Sequence, residues 1–420
     1  MNLKDGFTAS VGGVNNSFIL IVTSVAHFIN DGESALLPVV IPLLAYSISS
    51  SYALAAVAAC FYLFSSFGSP FAVSRVGRSG NTGRGLSEGL LILGIGISLT
   101  GLCAAFLGRY TQLAYAGIIV SSCIAGFGSS YYHPIGSGIV QKSFRSDAMG
   151  LALGINGALG SFGRAIFLTI SVLAFGELML SGGLLVIGAA CIAVALPMRF
   201  FFHFYEGDAE PASGAGNVRN WNEIGPVVRG TLPLIVMTFV RSAASTGIIL
   251  YLPTYFIRAH LLPYGLSLGL TMTFILSLPI PGQIMIGWIS DRIGLVRTLF
   301  LTTFMSGIFV MMFLLHPLNI YFDAISLAFF SLFAFSGFPI LFPIATKMVD
   351  AGEAHLSRGV VWTAVGFGAA VSPLLIVLLS ERWAFGSLAA SFFVLSAATS
   401  FVSLLSFSRR IRSTERATVQ

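Results

Sequence analysis

The chain has 420 residues, of which 56% are hydrophobic and only 9% are charged, and its mean hydropathy is +0.90. A soluble domain carries about 25% charged residues, so this sequence cannot cover a surface that faces water. Composition therefore excludes a soluble enzyme and, although the formal net charge is +6, it does not favour a nucleic-acid-binding protein. It predicts an integral membrane protein.

Runs of about 20 apolar residues, the length that crosses a bilayer, predict twelve membrane-spanning helices. The predicted spans cover residues 18–46, 52–74, 86–108, 111–138, 148–174, 178–202, 229–256, 265–289, 296–316, 321–346, 358–380 and 385–407. The first run is too long for the apolar core of a signal peptide and lacks a small-residue cleavage site. It is expected to remain as a membrane helix.

The basic residues predict the orientation of the chain in the cell membrane. Seventeen of the 22 Lys and Arg residues fall on one side if both termini share that side, and three fall opposite. Because basic loops stay in the cytoplasm, both termini are expected to be cytoplasmic. The remaining two, Arg164 and Arg241, lie near the middles of spans five and seven.

The longest polar segment, residues 203–226, is rich in Gly, Pro, Ala and Ser and predicts a flexible cytoplasmic connector. It separates six spans from six others. We therefore predict an N-terminal six-helix bundle at residues 1–202, a linker at 203–228 and a C-terminal six-helix bundle at 229–420.

The two predicted bundles also match each other in sequence, which favours a parallel internal repeat. Residues 133–163 align without gaps on residues 342–372, a shift of 209. A second match near the start of each half, at a shift of 214, places Arg241 opposite His27.

The short loop after span eight carries a specific motif. The sequence GWISDRIGLVR at 287–297 resembles the loop signature of the major facilitator superfamily, in the residues Gly287, Asp291, Arg292, Gly294 and Arg297. The equivalent loop after span two keeps Arg75 and Gly77 but has Ser74 where the signature has aspartate. The resemblance covers almost the whole chain. It implies an all-α membrane fold of two pseudo-symmetric six-helix bundles, with these loops acting as gates.

Three further segments resemble the fosmidomycin-resistance-type branch of that superfamily. They are AHFINDGESALLPVVIPLL at 26–44, GFGSSYYHPIGSGIV at 126–140 and the glycine-rich GINGALGSFG at 154–163. The resemblance implies a proton-coupled exporter of small organic compounds.

The polar cluster in span one suits proton coupling. His27 and Asp31 are four residues apart and share a helix face with Asn30, while Glu33 points about 120° away from His27. A charge at mid-span costs about 2.5–3.5 kcal/mol, and a carboxyl away from water exchanges protons nearer neutral pH. We predict coupling by Asp31, His27 and Glu33; a static polar contact between helices is the alternative.

Further residues are candidates for substrate binding and helix packing. Arginine cannot shed its proton, so Arg164 and Arg241 predict an anionic or zwitterionic substrate, unless Asp31 pairs with Arg241. The remaining predicted substrate ligands are Asn30, His133 and Tyr132. Glycines spaced along span five predict close helix packing: Gly154, Gly157, Gly160 and Gly163.

These features together predict a secondary active transporter that works by alternating access, most simply efflux by proton antiport. Uptake of an organic anion by symport or uniport is the alternative. The pattern His27-x-x-x-Asp31 also occurs in some acyltransferases, but the duplicated halves make a membrane-embedded acyltransferase a remote alternative. No cofactor, metal or nucleic acid is expected, only substrate, protons and lipid around a monomer.

The cysteines stand singly in apolar stretches and predict no metal or redox site: Cys60, Cys103, Cys123 and Cys191.

Overall fold

The computed structural model describes residues 10–11, 14–79, 82–144, 146–201, 224–315, 319–337, 340–350, 353–382, 388–409 and 411. Most of the predicted linker, residues 203–223, and both chain ends lie outside these described residues. The described part is helical apart from a short antiparallel ribbon of β1 (Ser10–Val11) and β2 (Val14–Asn15).

In the described residues, seven helices precede the predicted linker. They are α1 (Asn16–Ser34), α2 (Leu37–Leu44), α3 (Ser51–Ser79), α4 (Thr82–Ala104), α5 (Thr111–Ser129), α6 (Tyr132–Ser143) and α7 (Ser146–Phe201).

Eight α-helices and a final 3₁₀ helix follow it in the described residues. They are α8 (Ile224–Ala259), α9 (Leu266–Ser277), α10 (Pro279–Ile293), α11 (Leu295–Leu315), α12 (Ile320–Ser336), α13 (Leu341–Lys347), α14 (Ala354–Arg382), α15 (Leu388–Val402) and the 3₁₀ helix Ser403–Phe407.

Ten helical stretches in the described residues are long and apolar enough to cross a membrane. One of them lies in α7, whose 56 residues include a non-helical Met179 with φ 60°. A span needs about 20 residues, so α7 is long enough for predicted spans five and six together. Predicted span one is formed by α1 and α2 in succession. The chain is thus an all-α, multi-pass membrane protein.

Four predicted spans are each divided into two helices. In each of these pairs a proline stands in the first turn of the second helix. These prolines are Pro38 in α2, Pro134 in α6, Pro279 in α10 and Pro343 in α13. Proline lacks the N–H that a preceding turn would need, but it is tolerated where a helix begins. Helices α6 and α13 begin at Tyr132 and Leu341, which are also 209 residues apart, so the break recurs with the sequence repeat.

The described residues cluster into two units. The first holds residues up to 49 and from 60 to 201, and in it α1 packs against α6 and α7 while α4 packs against α5 and α7. The second holds residues 50–59 and those from 224 onward, and in it α8 packs against α14 and α15. The predicted bundle boundaries at 202 and 229 stay a prediction, since residues 202–223 are not described.

Candidate functional site

A cluster of polar side chains lies inside the first unit, where α1, α6 and α7 meet. Its centre is Asp31 on α1, which is only 4% exposed. Around it stand residues from all three helices: His27 and Asn30 from α1, His133 from α6, and Arg164 from α7.

Asp31 receives contacts on both carboxylate oxygens. Arg164 donates from Nη2 to Oδ2 at 2.5 Å, and His27 Nε2 lies 3.4 Å from the same oxygen. Asn30 donates to Oδ1 at 3.1 Å, and His133 Nε2 lies 3.5 Å from it. The arginine and carboxylate charges cancel, which makes this buried charge tolerable in a membrane.

The cluster is exposed on one side. The side chains of His133 and Arg164 are 36% and 27% exposed, against 4% for Asp31 and 12% for His27. Arg164 therefore contacts the buried carboxylate while part of its own side chain stays exposed.

Asn156 on α7 supports His27 from the other side of the ring. His27 Nδ1 lies 2.9 Å from the main-chain oxygen of Asn156 and 3.0 Å from its Oδ1. The ring of Tyr132 stacks on His27 with a centroid distance of 4.3 Å. Sequence reasoning missed Asn156. The available signal was its spacing, because Asn156, Gly160 and Arg164 follow one another at intervals of four on one helix face.

Two of the predicted packing glycines face α1 directly. A Cβ at Gly160 would overlap the ring of His27, and a Cβ at Gly163 would overlap the main chain of Phe28. Gly160 thus makes room for a site residue and Gly163 for the helix itself. Gly154 and Gly157 lie on the same helix, both partly buried.

Glu33 lies apart from this cluster. It is 2% exposed and stands beside Cys191 of α7, whose thiol donates to the main-chain oxygen of Leu90 at 3.2 Å. Within the described residues neither oxygen of Glu33 accepts a hydrogen bond by geometry. A carboxylate so placed in apolar surroundings is costly, which favours the neutral acid.

Arg241 lies in the second unit and is 1% exposed. It donates to the main-chain oxygens of Phe333 and Ala334 at 2.8 and 2.9 Å and to Thr303 Oγ1 at 3.1 Å. Those two carbonyls belong to the last turn of α12, which has no helical partners for them and carries negative partial charge. A Cβ at Gly337, just beyond α12, would overlap the guanidinium. The ion pair at Asp31 is thus made by Arg164.

The predicted loop motif lies where α10 gives way to α11. Gly294 has φ 89°, a conformation that favours glycine. Its N–H donates to the main-chain oxygen of Ser290 at 3.0 Å and so closes the end of α10. The guanidinium of Arg292 lies 3.8 Å from the centre of the Trp288 ring, a cation–π contact. The other charged members, Asp291 and Arg297, are exposed. A Cβ at Gly287 would meet no described atom within 4 Å.

The first-half loop uses a different acid. Arg75 near the end of α3 donates from Nε to Glu88 of α4 at 2.9 Å, and Arg199 of α7 lies 3.7 Å from the other oxygen of Glu88. The hydrogen bond and the charge of Glu88 raise the pKa of Arg75 above its usual value. Glu88 thus gives Arg75 the acidic neighbour that Ser74 cannot supply. Gly77 lies on the same helix as Arg75.

His27, Asp31 and His133 also have the residue types of a transition-metal site. Their ligand atoms lie within 4.8 Å of one another, and two imidazoles with a carboxylate suit zinc or a similar ion. Arg164, however, already neutralises the carboxylate. Adding a divalent charge beside a guanidinium is unfavourable, so the cluster fits proton and anion chemistry better.

Comparison with known proteins agrees with this architecture. The sequence profile of the Major Facilitator Superfamily matches residues 23–373. No curated protein matches the chain in sequence. Among solved structures, the fold is similar to the partially occluded inward-open xylose transporter XylE from E. coli, with TM-score 0.69, 13% identity, and coverage of 93% of this chain and 96% of that one. It is also similar to a D-xylose-proton symporter, with TM-score 0.71, 12% identity, and coverage of 94% and 98%.

The profile spans well over half of the chain, so this protein belongs to the Major Facilitator Superfamily. It is a membrane transporter and not an enzyme. The low identities to the solved structures establish the fold alone.

Proposed function

We propose that this protein transports a small organic anion or zwitterion together with protons, and that Asp31 and Arg164 are the coupled pair. The observation that carries the proposal is the 2.5 Å contact between a buried carboxylate and a partly exposed guanidinium. The carboxylate is the proton acceptor, and the guanidinium is the group that an anionic substrate binds, through a bidentate fork.

The pair makes proton binding and anion binding help each other. While Asp31 is ionised, it pairs with Arg164, and its negative charge repels an anionic substrate. Protonation removes that competition and leaves Arg164 with its positive charge. Because linkage between two ligands is reciprocal, a bound anion must favour protonation of Asp31 to the same degree.

This reciprocity favours symport for an anionic substrate. Antiport requires proton and substrate to compete, which suits a cation that binds the ionised carboxylate. The fosmidomycin-resistance-like sequence segments favour antiport and efflux, whereas one similar structure is of a D-xylose-proton symporter. We therefore propose anion–proton symport first, with antiport as the competing mechanism.

Other predicted residues take supporting parts in this proposal. His133 and Asn30 contact Asp31, and His133 is exposed enough to reach a substrate. His27 belongs to the proton site, and Tyr132 to its support. Arg241 stays a predicted substrate ligand, but at 1% exposure it needs a different conformation to meet one. Coupling by Glu33, cytoplasmic termini and gating by the two loops likewise remain proposals.

Purified protein in sealed vesicles that contain a pH-sensitive dye tests the proposal. The probes are small carboxylates, phosphonates, D-xylose and a lipophilic cation, each added outside at matched pH. We expect at least one carboxylate or phosphonate to alkalinise the external medium and acidify the lumen, as symport requires. The same probe should do nothing in empty vesicles.

Each alternative has its own signature in this assay. Proton movement opposite to the substrate indicates antiport and overturns the symport proposal. A response to the cation alone overturns the anionic substrate class. A response to D-xylose alone would make the arginine–carboxylate argument wrong for substrate binding while leaving proton coupling intact.

A further inference from the structure

Asn156 of α7 makes several polar contacts that the coupling argument has not yet used. It is 3% exposed, and its side chain lies between α1 and α6. Its Oδ1 lies 3.0 Å from both His27 Nδ1 and the hydroxyl of Tyr132, while its Nδ2 donates to Ser24 Oγ at 3.3 Å. The donation to Ser24 orients the amide so that its oxygen faces His27.

These contacts determine which nitrogen of His27 carries a hydrogen. Nδ1 also lies 2.9 Å from the main-chain oxygen of Asn156, and a carbonyl oxygen can only accept. Nδ1 therefore faces two acceptors and must be the N–H donor. The main-chain carbonyl favours this form, and the side-chain Oδ1 adds the second acceptor that holds the ring in it.

The other nitrogen of the ring is then committed to Asp31. His27 Nε2 lies 3.4 Å from Asp31 Oδ2. If the ring were neutral with its hydrogen on Nδ1, a lone pair on Nε2 would face a carboxylate oxygen, which is repulsive. One proton on Nε2 or on Asp31 removes the repulsion.

We propose that Asn156 is a positioning residue that holds His27 in the Nδ1–H form, so that the coupling proton is shared between His27 Nε2 and Asp31. This inference rests on the proposed coupling role of Asp31. With the proton bound, the charges of His27, Asp31 and Arg164 sum to +1; when it leaves, His27 is neutral and the sum is zero. Anion affinity therefore follows the proton on this pair.

The surrounding groups are consistent with that assignment. The His27 ring contacts Asp31 of its own helix, and His133 and Tyr132 of α6. The guanidinium of Arg164 on α7 contacts the same Asp31 carboxylate. Tyr62 of α3 lies within electrostatic range of Arg164. Gly160 leaves the space that the ring occupies, since a Cβ there would overlap it.

Nitrogen NMR of the full-length protein in lipid nanodiscs tests the tautomer without any substrate. The chain has six histidines, which can be labelled with ¹⁵N, and the His27 signals are assigned by their loss in His27→Gln. We expect the neutral form of His27 to carry its hydrogen on Nδ1. Finding the neutral Nε2–H form at any pH would overturn the proposal.

The positioning role of Asn156 is tested by the tautomer of His27 in variants, read from the same ¹⁵N signals. Asn156→Asp keeps an oxygen acceptor about 3 Å from Nδ1, so the Nδ1–H form should be retained. Asn156→Leu removes Oδ1 and the contacts with Tyr132 and Ser24, so the Nε2–H form should appear beside the Nδ1–H form.

A pure Nδ1–H form of His27 in Asn156→Leu, as in the unaltered protein, would overturn the positioning role. If either variant fails to fold, the tautomer of the unaltered protein still decides the proposal. The result is separable from the proposed function, because the NMR needs no transport. Absence of anion-evoked proton movement in the vesicle assay would refute the coupling role and leave the tautomer measurement standing.

Discussion

Arg164 and Arg241 each lie near the middle of a predicted span, yet the two units hold them in different ways. Arg164 is 27% exposed and donates to a carboxylate. Arg241 is 1% exposed and donates to the last carbonyls of α12 and to threonine hydroxyls. A mid-span arginine costs about 2.5–3.5 kcal/mol on insertion, so both need compensation.

The difference teaches that a titratable group can gain a proton and stop neutralising an arginine, whereas the carbonyls at a helix end cannot. If Asp31 takes up a proton, as proposed, Arg164 loses its charged partner. The carbonyls of α12 have no proton to gain, so their contacts with Arg241 do not depend on pH. The first arginine suits a coupling site and the second suits a stable core.

The largest expected effect is on Asp31. Asp31→Asn preserves shape but removes the titratable proton, so proton-driven accumulation of substrate should be abolished while exchange of substrate across the vesicle membrane continues. Dye-reported proton movement and radiolabelled exchange measure the two separately. Glu177→Gln, which changes an exposed acid, is the matched control. If Asp31→Asn still concentrates substrate, the coupling proton is carried elsewhere, with His27 and Glu33 the next candidates.

Replacing each arginine with lysine tests the comparison directly. Arg164→Lys keeps the charge but loses the fork, so the apparent affinity for an anionic substrate should fall by roughly tenfold, about 1.4 kcal/mol. Arg241→Lys should mainly lower thermal stability, because one ammonium cannot satisfy the oxygens that surround it. Substrate titrations and melting curves are compared for both. An equal fall in affinity in Arg241→Lys would make that residue a substrate ligand, as the sequence predicts.

Gly337→Ala probes the pocket of Arg241. The added methyl would overlap the buried guanidinium, and overpacking of this kind costs about 1–3 kcal/mol. The melting temperature should fall without a change in the pH dependence of transport. Gly359→Ala, in α14, is the matched control because its Cβ meets no described atom within 4 Å. Equal stability of the two variants would contradict the crowding at Arg241.

Gly160→Ala probes the other arginine's cluster. Its methyl would displace the ring of His27, so coupling should weaken and the pH profile of transport should change. Gly150→Ala lies on the same helix, meets no described atom within 4 Å and should leave transport unchanged. Matching pH profiles in both variants would show that the position of His27 is not critical.

The smallest effect is expected at the exposed charges beyond the core. Glu88→Gln removes the acid between Arg75 and Arg199, but exposed ion pairs contribute little to stability. The melting temperature should not change measurably. A change in transport rate in this variant would support the gating role proposed for the first-half loop.

The sequence alone was enough to identify a membrane transporter with a duplicated helical fold. Three local signals carry this identification, and each can be recognised without knowledge of helix packing. They are hydropathy, the excess of basic residues on one side and the GWISDRIG loop. Pro134 recurs as Pro343 in the sequence repeat, but the paired helix breaks at these prolines were found only in the structure. The residue types of the candidate site, with His27, Asp31, His133 and Arg164, were also recognisable in this way.

Only the tertiary structure decided how those residues pair. The repeat places Arg241 opposite His27 and made Asp31–Arg241 the natural pair, but α7 instead brings Arg164 to Asp31. It also brings Asn156 to His27, a contact between residues 129 positions apart in sequence. Helical periodicity shows which side chains share a face, whereas the partner of a face depends on how helices pack. That packing is set by close approaches such as Gly163 against Phe28. The glycine spacing predicts that a helix packs closely there, but it does not say which helix.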